Sequence, residues 1–247
     1  MTIKDILKNI LSKETIHFLS EKKANLKKSS RKTYSQCGED IIMMNAFNEM
    51  GRKNITYVDI GTNEPKRGSN TFLFYKNGGK GICIEPNPSL FKKIKRVRKN
   101  DICLNMGITG ENNRNSMIFY LLSTPVLSTF SKEQLKDCLD KGFRIDKEII
   151  IKTIGINAFF EEYFKDTKPD LVSIDTEGLD YEIVSSLDLK RFRPTIFCIE
   201  TLTFDIGVNG KKTENIINLM KNNDYFIYAD THLNTIFIDK NSYINKK

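Results

Sequence analysis

Two short apolar segments, each ending in a turn that carries an acidic residue, constrain this chain most. They are Tyr57-Val58-Asp59-Ile60-Gly61-Thr62-Asn63 and Gly81-Ile82-Cys83-Ile84-Glu85-Pro86-Asn87. Asp59 and Glu85 lie 26 positions apart, a separation typical of adjacent strands in an α/β sheet that binds a nucleoside. In such sheets the acid at the tip of the second strand accepts hydrogen bonds from the ribose hydroxyls, so Glu85 is the ribose candidate.

The first turn indicates which nucleoside fits. A dinucleotide site uses G-x-G-x-x-G, because its glycines let the pyrophosphate reach a helix N-terminus. Here only Gly61 is present, and Asn63, Glu64 and Pro65 occupy the rest of the turn. An acid at Asp59 beside a carboxamide suits a cationic amino-acid group better than a double anion. The turn therefore favours S-adenosylmethionine, which carries a ribose, an ammonium and a sulfonium but no phosphate.

Seven short blocks follow one another in a defined order. They are Ser35-Gln36-x-Gly38-Glu39-Asp40, Val58-Asp59-Ile60-Gly61-Thr62-Asn63, Ser69-Asn70-Thr71, Ile84-Glu85-Pro86-Asn87-Pro88, Leu127-Ser128-Thr129-Phe130, Ile174-Asp175-x-Glu177-Gly178-x-Asp180 and Cys198-Ile199-Glu200. Together they resemble the FkbM-type methyltransferase family over roughly positions 34 to 240. The resemblance implies an S-adenosylmethionine-dependent O-methyltransferase that acts on a hydroxyl of a sugar or glycoconjugate.

The alternation of apolar patterns predicts one α/β domain. Strands are expected over 55–61, 81–85, 102–108, 117–122, 148–154, 170–175 and 195–200, with a closing hairpin over 225–229 and 235–239. Helices are expected over 39–50, 69–79, 88–97, 132–139, 156–164, 181–187 and 213–222. The predicted fold is a single Rossmann-like class I methyltransferase domain over 34–247, with a seven-stranded, mostly parallel sheet whose last strand runs antiparallel beside the fifth. Residues 1–33 form a separate basic extension.

Polar residues at the carboxyl ends of the predicted strands are the cofactor candidates, because ligands of open α/β sheets bind beyond those ends. We expect Asp59, Gly61, Thr62 and Asn63 around the methionine moiety and Glu85 on the ribose. The adenine is bordered by Asn87, Asn105, Met106 and Gly107, and the cofactor carboxylate by Gln36, Ser69, Asn70 and Thr71. Met106 as core filler and Ser69 as a helix N-cap are equally consistent interpretations.

A hydroxyl acceptor must lose a proton, so a base is expected near the methyl donor. Asp175 is the residue expected closest to the reaction, with Glu200 or His232 sharing proton handling. A hairpin-turn role for His232, and helix N-terminal charge for Glu177 and Asp180, are the competing interpretations. A divalent metal held by Asp175, Asp180 and Glu200 is a further option, since hard cations prefer oxygen ligands.

The net charge of +8 is concentrated at the N-terminus, where residues 1–33 hold nine basic and three acidic residues. Apolar residues at helical spacing (Ile3, Ile6, Leu7, Ile10 and Leu11) predict an amphipathic helix. Two interpretations fit: contact with an anionic membrane or a partner, or packing on the body. The weak charge of the body argues against nucleic acid as a partner. RNA or protein methylation, with a polyanion on 22–32 and 92–99, and a non-catalytic cofactor-binding scaffold remain the alternative functions.

Sequence features also bear on location and on the acceptor. Five cysteines without a C-x-x-C pair fit a reducing compartment, and there is no signal-peptide pattern or apolar run of transmembrane length. A cytoplasmic protein is therefore expected; peripheral contact with the inner membrane face through residues 1–33 is an open alternative to a helix packed on the body or a mobile basic tail. The irregular region 123–149 is expected to lie over the strand ends and to bind the acceptor.

Overall fold

The computed structural model describes residues 15, 31–110, 115–165, 167–202 and 210–245 of the 247-residue chain. Contacts divide the chain into Met1–Thr33 and Tyr34–Lys247, and every element named below belongs to the second unit. The amphipathic helix predicted around residues 3–11 lies outside the described residues. In the part of the chain that is described, every helix is too short or too polar to cross a membrane.

The described residues form an α/β fold. The strands are β1 (Thr56–Ile60), β2 (Lys80–Ile84), β3 (Ile102–Leu104), β4 (Gly107–Thr109), β5 (Ser116–Leu122), β6 (Ile145–Gly155), β7 (Leu171–Ile174), β8 (Ile196–Glu200), β9 (Tyr225–Asp230) and β10 (Asn234–Asp239). The helices are α1 (Glu39–Glu49), α2 (Phe72–Lys76), α3 (Pro88–Val97), α4 (Lys132–Asp140), α5 (Ile156–Phe164), α6 (Asp180–Ser186), α7 (Glu214–Asn222) and α8 (Lys240–Ile244). A 3-10 turn spans Pro125–Leu127.

The central sheet has seven strands in the order β3-β2-β1-β7-β8-β10-β9 among the described residues. The pairs from β3 to β8 are parallel, whereas β10 runs antiparallel to both β8 and β9. This arrangement confirms the predicted class I methyltransferase fold. Because parallel strands end at one edge, the turns after β1, β2, β7 and β8 lie together.

The single strand predicted over 102–108 is wrong. The structure splits it into β3, at the edge of the central sheet, and β4, which pairs with β6 in a three-stranded sheet of order β4-β6-β5. The break falls at Asn105, whose side-chain amide donates to the carbonyl oxygens of Glu85 at 2.8 Å and Pro86 at 2.9 Å. These bonds hold Asn105 against the turn after β2, and the chain does not continue there as a strand of the central sheet.

Alternation along the strands places two apolar layers on opposite faces of the sheet. On one face Val58 and Ile60 belong to a cluster that includes Phe159 and Phe160 of α5. On the other face Tyr57 joins a cluster with α1 and α2. Since Asp59 alternates with Val58 and Ile60, its side chain is on the second face, away from the larger apolar cluster.

Candidate active site

A cavity opens at the carboxyl ends of the central strands. The space between its walls, part of which is open to solvent, is about 580 Å³. The turns after β1, β2 and β7 form one side, and β4, β5 and the 3-10 turn form the other. Its lining residues are Ile60, Gly61, Asn63, Ile84, Glu85, Pro86, Leu90, Met106, Gly107, Ile108, Phe119, Pro125, Val126, Ser128, Phe130, Asp175, Thr176 and Glu177. The wall is largely apolar, with three carboxylates and no lysine or arginine among these described residues.

Glu85 is anchored so that its carboxylate faces a ligand in a fixed orientation. One carboxylate oxygen accepts the backbone N–H of Asn63 and the other that of Asn87, both at 2.8 Å. Glu85 is only 5% exposed. Desolvation raises the pKa of its carboxyl to about 7, although the two hydrogen bonds from Asn87 and Asn63 act to lower that pKa. Each oxygen keeps a free lone pair, so the group can accept a pair of hydroxyls.

Gly61 provides the close backbone approach between the turns after β1 and β7. It adopts φ of 81°, and a Cβ built on it would lie 1.7 Å from the backbone oxygen of Asp175. No other residue fits this position, because any side chain would push the two strand ends apart. The glycine thus lets the backbone of Asp175 lie beside the first turn, a contact that the sequence motif alone does not predict.

A buried polar network lies behind the first turn. Thr71 Oγ1 donates to Asp59 Oδ2 at 2.5 Å and accepts from Arg98 Nη2 at 2.6 Å. Arg98 Nε also pairs with Asp101 Oδ2 at 2.8 Å, with both side chains 0% exposed. Burial raises the pKa of Asp59, while Arg98 and the Thr71 bond oppose that shift. Asp59 therefore belongs to the support of the turn and does not line the cavity.

Three carboxylates meet at the far side of the cavity. Ligand atoms of Asp175, Glu177 and Glu200 all lie within 4.8 Å of one another. The Glu200 carboxyl shares a hydrogen bond with Asp175, which favours the protonated form of Glu200 and the ionised form of Asp175. Desolvation, together with the neighbouring acids, raises the pKa of Asp175 to about 7 and that of Glu200 to about 11. The pair thus favours a protonated Glu200 that donates to an ionised Asp175.

The structure distributes the predicted cofactor residues over two layers. Gly61, Asn63, Glu85, Met106, Gly107 and Asp175 line the cavity. Asp59, Thr62, Ser69, Asn70, Thr71, Asn87 and Asn105 lie behind it and orient the turns. Examples are Ser69 Oγ, which accepts from the N–H of Phe72 at 3.1 Å, and Asn87 Oδ1, which accepts from Ser89 N at 2.9 Å at the start of α3.

Three predicted roles do not agree with the positions of their residues. His232 lies in the exposed turn between β9 and β10, with φ of 74°, and lines no described cavity. Gln36 is exposed beside Gly68 and is likewise outside the lining. The carboxylate of Asp180 accepts the backbone N–H groups of Thr176 at 3.0 Å and Gly178 at 3.3 Å. The third acid beside Asp175 and Glu200 is therefore Glu177, and not Asp180 as predicted.

Other residues of the site are not among the predicted site residues. Glu177, for which helix N-terminal charge is the competing interpretation, adopts φ of 53° and lies beside the other two acids; its place directly after a predicted strand is the sequence signal for it. Pro125, Val126, Ser128 and Phe130 were assigned with the acceptor region but line the same cavity as Glu85. Arg98 and Asp101 gave no signal, because a charged pair at a helix end is usually exposed.

Comparison with known proteins agrees with this architecture. Residues 59–227, more than half of the chain, match the model of the methyltransferase FkbM domain. The chain belongs to the FkbM methyltransferase family. Comparison with curated proteins gives no significant match.

Solved methyltransferases also align with this FkbM-family chain. The methyltransferase FkbM from Methylobacillus flagellatus is 12% identical with a TM-score of 0.43, and the alignment covers 75% of this chain and 43% of that one. The chain thus spans less than half of that protein. An O-methyltransferase from Bacillus cereus, solved with SAH, is 10% identical with a TM-score of 0.40, covering 93% of this chain and 92% of that one.

Proposed function

We propose that this FkbM-family methyltransferase transfers a methyl group from S-adenosylmethionine to a hydroxyl of a sugar or glycoconjugate. The observation that carries the proposal is the placement of Glu85 and Asp175 in the walls of one cavity, with Glu200 bonded to Asp175. The first acid suits a ribose, and the acidic pair suits removal of a hydroxyl proton.

The cavity fits the cofactor by the chemistry of its lining. Glu85 offers acceptors for two ribose hydroxyls, and Pro86, Met106 and Phe130 supply apolar surface for a purine ring. The absence of lysine and arginine from the described lining matches a ligand without phosphate. When bound, S-adenosylmethionine supplies a methyl group activated by a positively charged sulfur.

The chain contributes position and a proton acceptor. Asp175, with its pKa raised to about 7 by burial, takes the proton that the acceptor hydroxyl loses, while the Glu200 proton stabilises the orientation of the Asp175 carboxylate. General-base assistance of this kind typically contributes about 10²- to 10⁴-fold to rate. Holding donor and acceptor together contributes the larger part of the acceleration.

A divalent cation is the alternative occupant of the carboxylate group. Asp175, Glu177 and Glu200 present oxygen atoms at a mutual spacing that a hard cation accepts. In that arrangement the cation would lower the pKa of the acceptor hydroxyl, and the carboxylates would act as ligands. Removal of divalent cations with EDTA distinguishes a metal held by the three acids from a base at Asp175.

Titration calorimetry with S-adenosylhomocysteine, and separately with NAD, tests the cofactor assignment. We expect binding of the first and none of the second, with a loss of about 1 to 3 kcal/mol on Glu85→Ala as the ribose partner is removed. Undiminished affinity in this variant would remove Glu85 from the site.

A second measurement tests the base. Asp175→Asn is expected to lower the rate of methyl transfer by about 10²- to 10⁴-fold while the affinity for S-adenosylhomocysteine changes only a few-fold. Asp146→Asn, a matched exposed change on β6, serves as the control and is expected to change neither quantity. Equal losses of rate and affinity in Asp175→Asn would show that the residue acts in binding and not as the base.

A further inference from the structure

A second cavity adjoins the cofactor cavity and shares one residue with it. It lies between α4, the turn after β7, the end of β8 and the start of α7, and its space of about 1110 Å³ is partly open to solvent. Its lining residues are Ser131, Glu133, Gln134, Asp137, Glu177, Gly178, Asp180, Tyr181, Glu200, Leu202, Thr213, Asn215 and Ile216. Glu177 lines both cavities, and Glu200 bonds to Asp175 of the first. The three acids Asp175, Glu177 and Glu200 therefore lie between the two cavities.

This position is where an acceptor has to lie. A hydroxyl that reacts with a methyl group in the cofactor cavity must reach Asp175 at the same time. Glu177 and Glu200 line the second cavity, and their carboxylate oxygens lie within 4.8 Å of an oxygen of Asp175.

The lining is acidic. Glu133, Asp137, Glu177, Asp180 and Glu200 are acidic residues, and the described lining includes no lysine, arginine or histidine. Although Glu200 holds a proton in its hydrogen bond with Asp175, a phosphate, sulfate or carboxylate on the acceptor would find no compensating cation among the described lining residues, and the ionised acids would repel it. Hydroxyl groups, in contrast, donate to carboxylates and find a surplus of acceptors here.

An aromatic ring completes the lining. Tyr181, at the start of α6, is 46% exposed and belongs to the cavity wall. A pyranose has C–H groups on its faces and hydroxyls on its rim. The faces pack on an exposed tyrosine ring, while the amide of Gln134, already 3.4 Å from Glu177 Oε2, and the nearby carboxylates can contact the rim.

We propose that the second cavity holds the acceptor and selects a polyhydroxylated ring that carries no phosphate, sulfate or carboxylate group. This inference rests on the proposed function, since it assigns the acceptor of that reaction. It also disfavours RNA as the acceptor, because a polynucleotide would bring phosphates into an acidic cavity.

A fluorescence titration tests the assignment independently of turnover. The chain contains no tryptophan, so Tyr181→Trp places the only tryptophan of the variant in the cavity wall, where its fluorescence can be excited selectively. In saturating S-adenosylhomocysteine, we titrate a matched set of methyl glycosides: a hexoside, the 2-amino-2-deoxyhexoside and the hexuronide. The first two are expected to change the emission, and the hexuronide to bind at least about tenfold more weakly. Saturation-transfer NMR on the unchanged chain gives the same comparison if the variant does not fold.

Two charge reversals on one helix provide the matched control. Asp137 lines the cavity, whereas Asp140, three residues further along α4, is exposed and outside the lining. Asp137→Lys is expected to reduce the ratio of the hexoside affinity to the hexuronide affinity by roughly fivefold. Asp140→Lys is expected to leave this ratio unchanged. Equal effects of the two reversals would mean that overall charge, and not this cavity, sets the preference.

The outcomes separate this inference from the proposed function. Tighter binding of the hexuronide than of the hexoside overturns the inference. So does a lack of response to all three glycosides in a protein that binds S-adenosylhomocysteine, although methyl transfer itself then stands. Failure to bind S-adenosylhomocysteine overturns the proposed function instead. Transfer of labelled methyl to the glycoside that binds completes the test.

Discussion

The buried pair of Arg98 and Asp101 supports the turn after β1, and replacing the arginine is expected to cause a large loss of stability. Arg98 bonds to Asp101 and to Thr71, and Thr71 in turn bonds to Asp59 at the end of β1. Asp101 also accepts from the Tyr57 hydroxyl at 2.8 Å. In Arg98→Leu the Asp101 carboxylate keeps hydrogen bonds but loses its counter-charge in a site with 0% exposure.

The expected cost follows from that burial. Leaving one partner of a buried ion pair uncompensated typically destabilises a protein by about 3–5 kcal/mol. In a domain of this size each kcal/mol lowers the melting temperature by about 2–4 °C. Arg98→Leu is therefore expected to lower the melting temperature by roughly 6–20 °C. Affinity for S-adenosylhomocysteine is expected to fall as well, since Thr71 and Asp59 lose their fixed positions behind the turn.

Arg52→Leu is the matched control, with the same substitution in a more exposed pair. Arg52 bonds to Asp170 at 2.6 Å, but the two side chains are 33% and 22% exposed, so the expected cost is only about 1 kcal/mol or less. The double variant Arg98→Leu, Asp101→Asn is expected to recover part of the loss, because it removes the orphaned charge. Calorimetric melting measures all three. The reasoning fails if Arg98→Leu costs no more than Arg52→Leu.

Three further predictions concern the cofactor side of the site. Desolvation raises the pKa of Glu85 to about 7, so affinity for S-adenosylhomocysteine is expected to fall as the pH drops below about 7 and the carboxyl is protonated. In calorimetric titrations, Glu85→Gln is expected to make this affinity less dependent on pH. Gly61→Ala, whose Cβ would meet the backbone of Asp175 at 1.7 Å, is expected to abolish that binding, whereas Gly142→Ala, at φ of 89° with open space around it, costs only about 1–2 kcal/mol of stability. EDTA is expected to leave methyl transfer unchanged, because Asp175 is proposed to act as a base; a loss restored by Mg²⁺ or Mn²⁺ would assign the carboxylate group to a metal.

The parts of the fold that local patterns determine were predictable. Asn87 before Pro88 marks the start of α3, and apolar runs such as Ile196–Glu200 mark buried strands, because capping and burial depend on nearby residues. Gly61 and Glu85 were likewise predictable as residues at strand ends, and both line the cavity; the binding of ribose hydroxyls by Glu85 stays a prediction.

The parts that depend on distant contacts were not predictable. The break at Asn105 arises from bonds to Glu85 and Pro86, about 20 residues earlier in the chain, and nothing within the apolar run signals it. Arg98 lies in a segment of six charged residues near the end of α3, where exposure is the default expectation. Its burial depends on an acid at Asp101 and on aromatic rings from other elements.

The charge of the methyl donor couples to the protonation of Asp175. The pKa of Asp175 is raised to about 7, mainly by desolvation, so a change in nearby charge can shift its protonation near neutral pH. A sulfonium in the same cavity favours the ionised carboxylate and lowers this pKa. Binding of the donor thus prepares the base, and loss of the sulfonium charge after transfer lets Asp175 keep the proton that it takes from the acceptor.

This coupling predicts a difference between two ligands that share the same ribose. Near neutral pH, S-adenosylmethionine is expected to release more protons than S-adenosylhomocysteine on binding, since only the first carries the sulfonium. The contribution of Glu85 cancels in the comparison, because both ligands present the same hydroxyls. Calorimetry in buffers of different ionisation enthalpy measures the release, and Asp175→Asn should remove the difference. Equal proton release for the two ligands in the unchanged enzyme would show that Asp175 does not sense the donor's charge, and the base would have to be sought elsewhere.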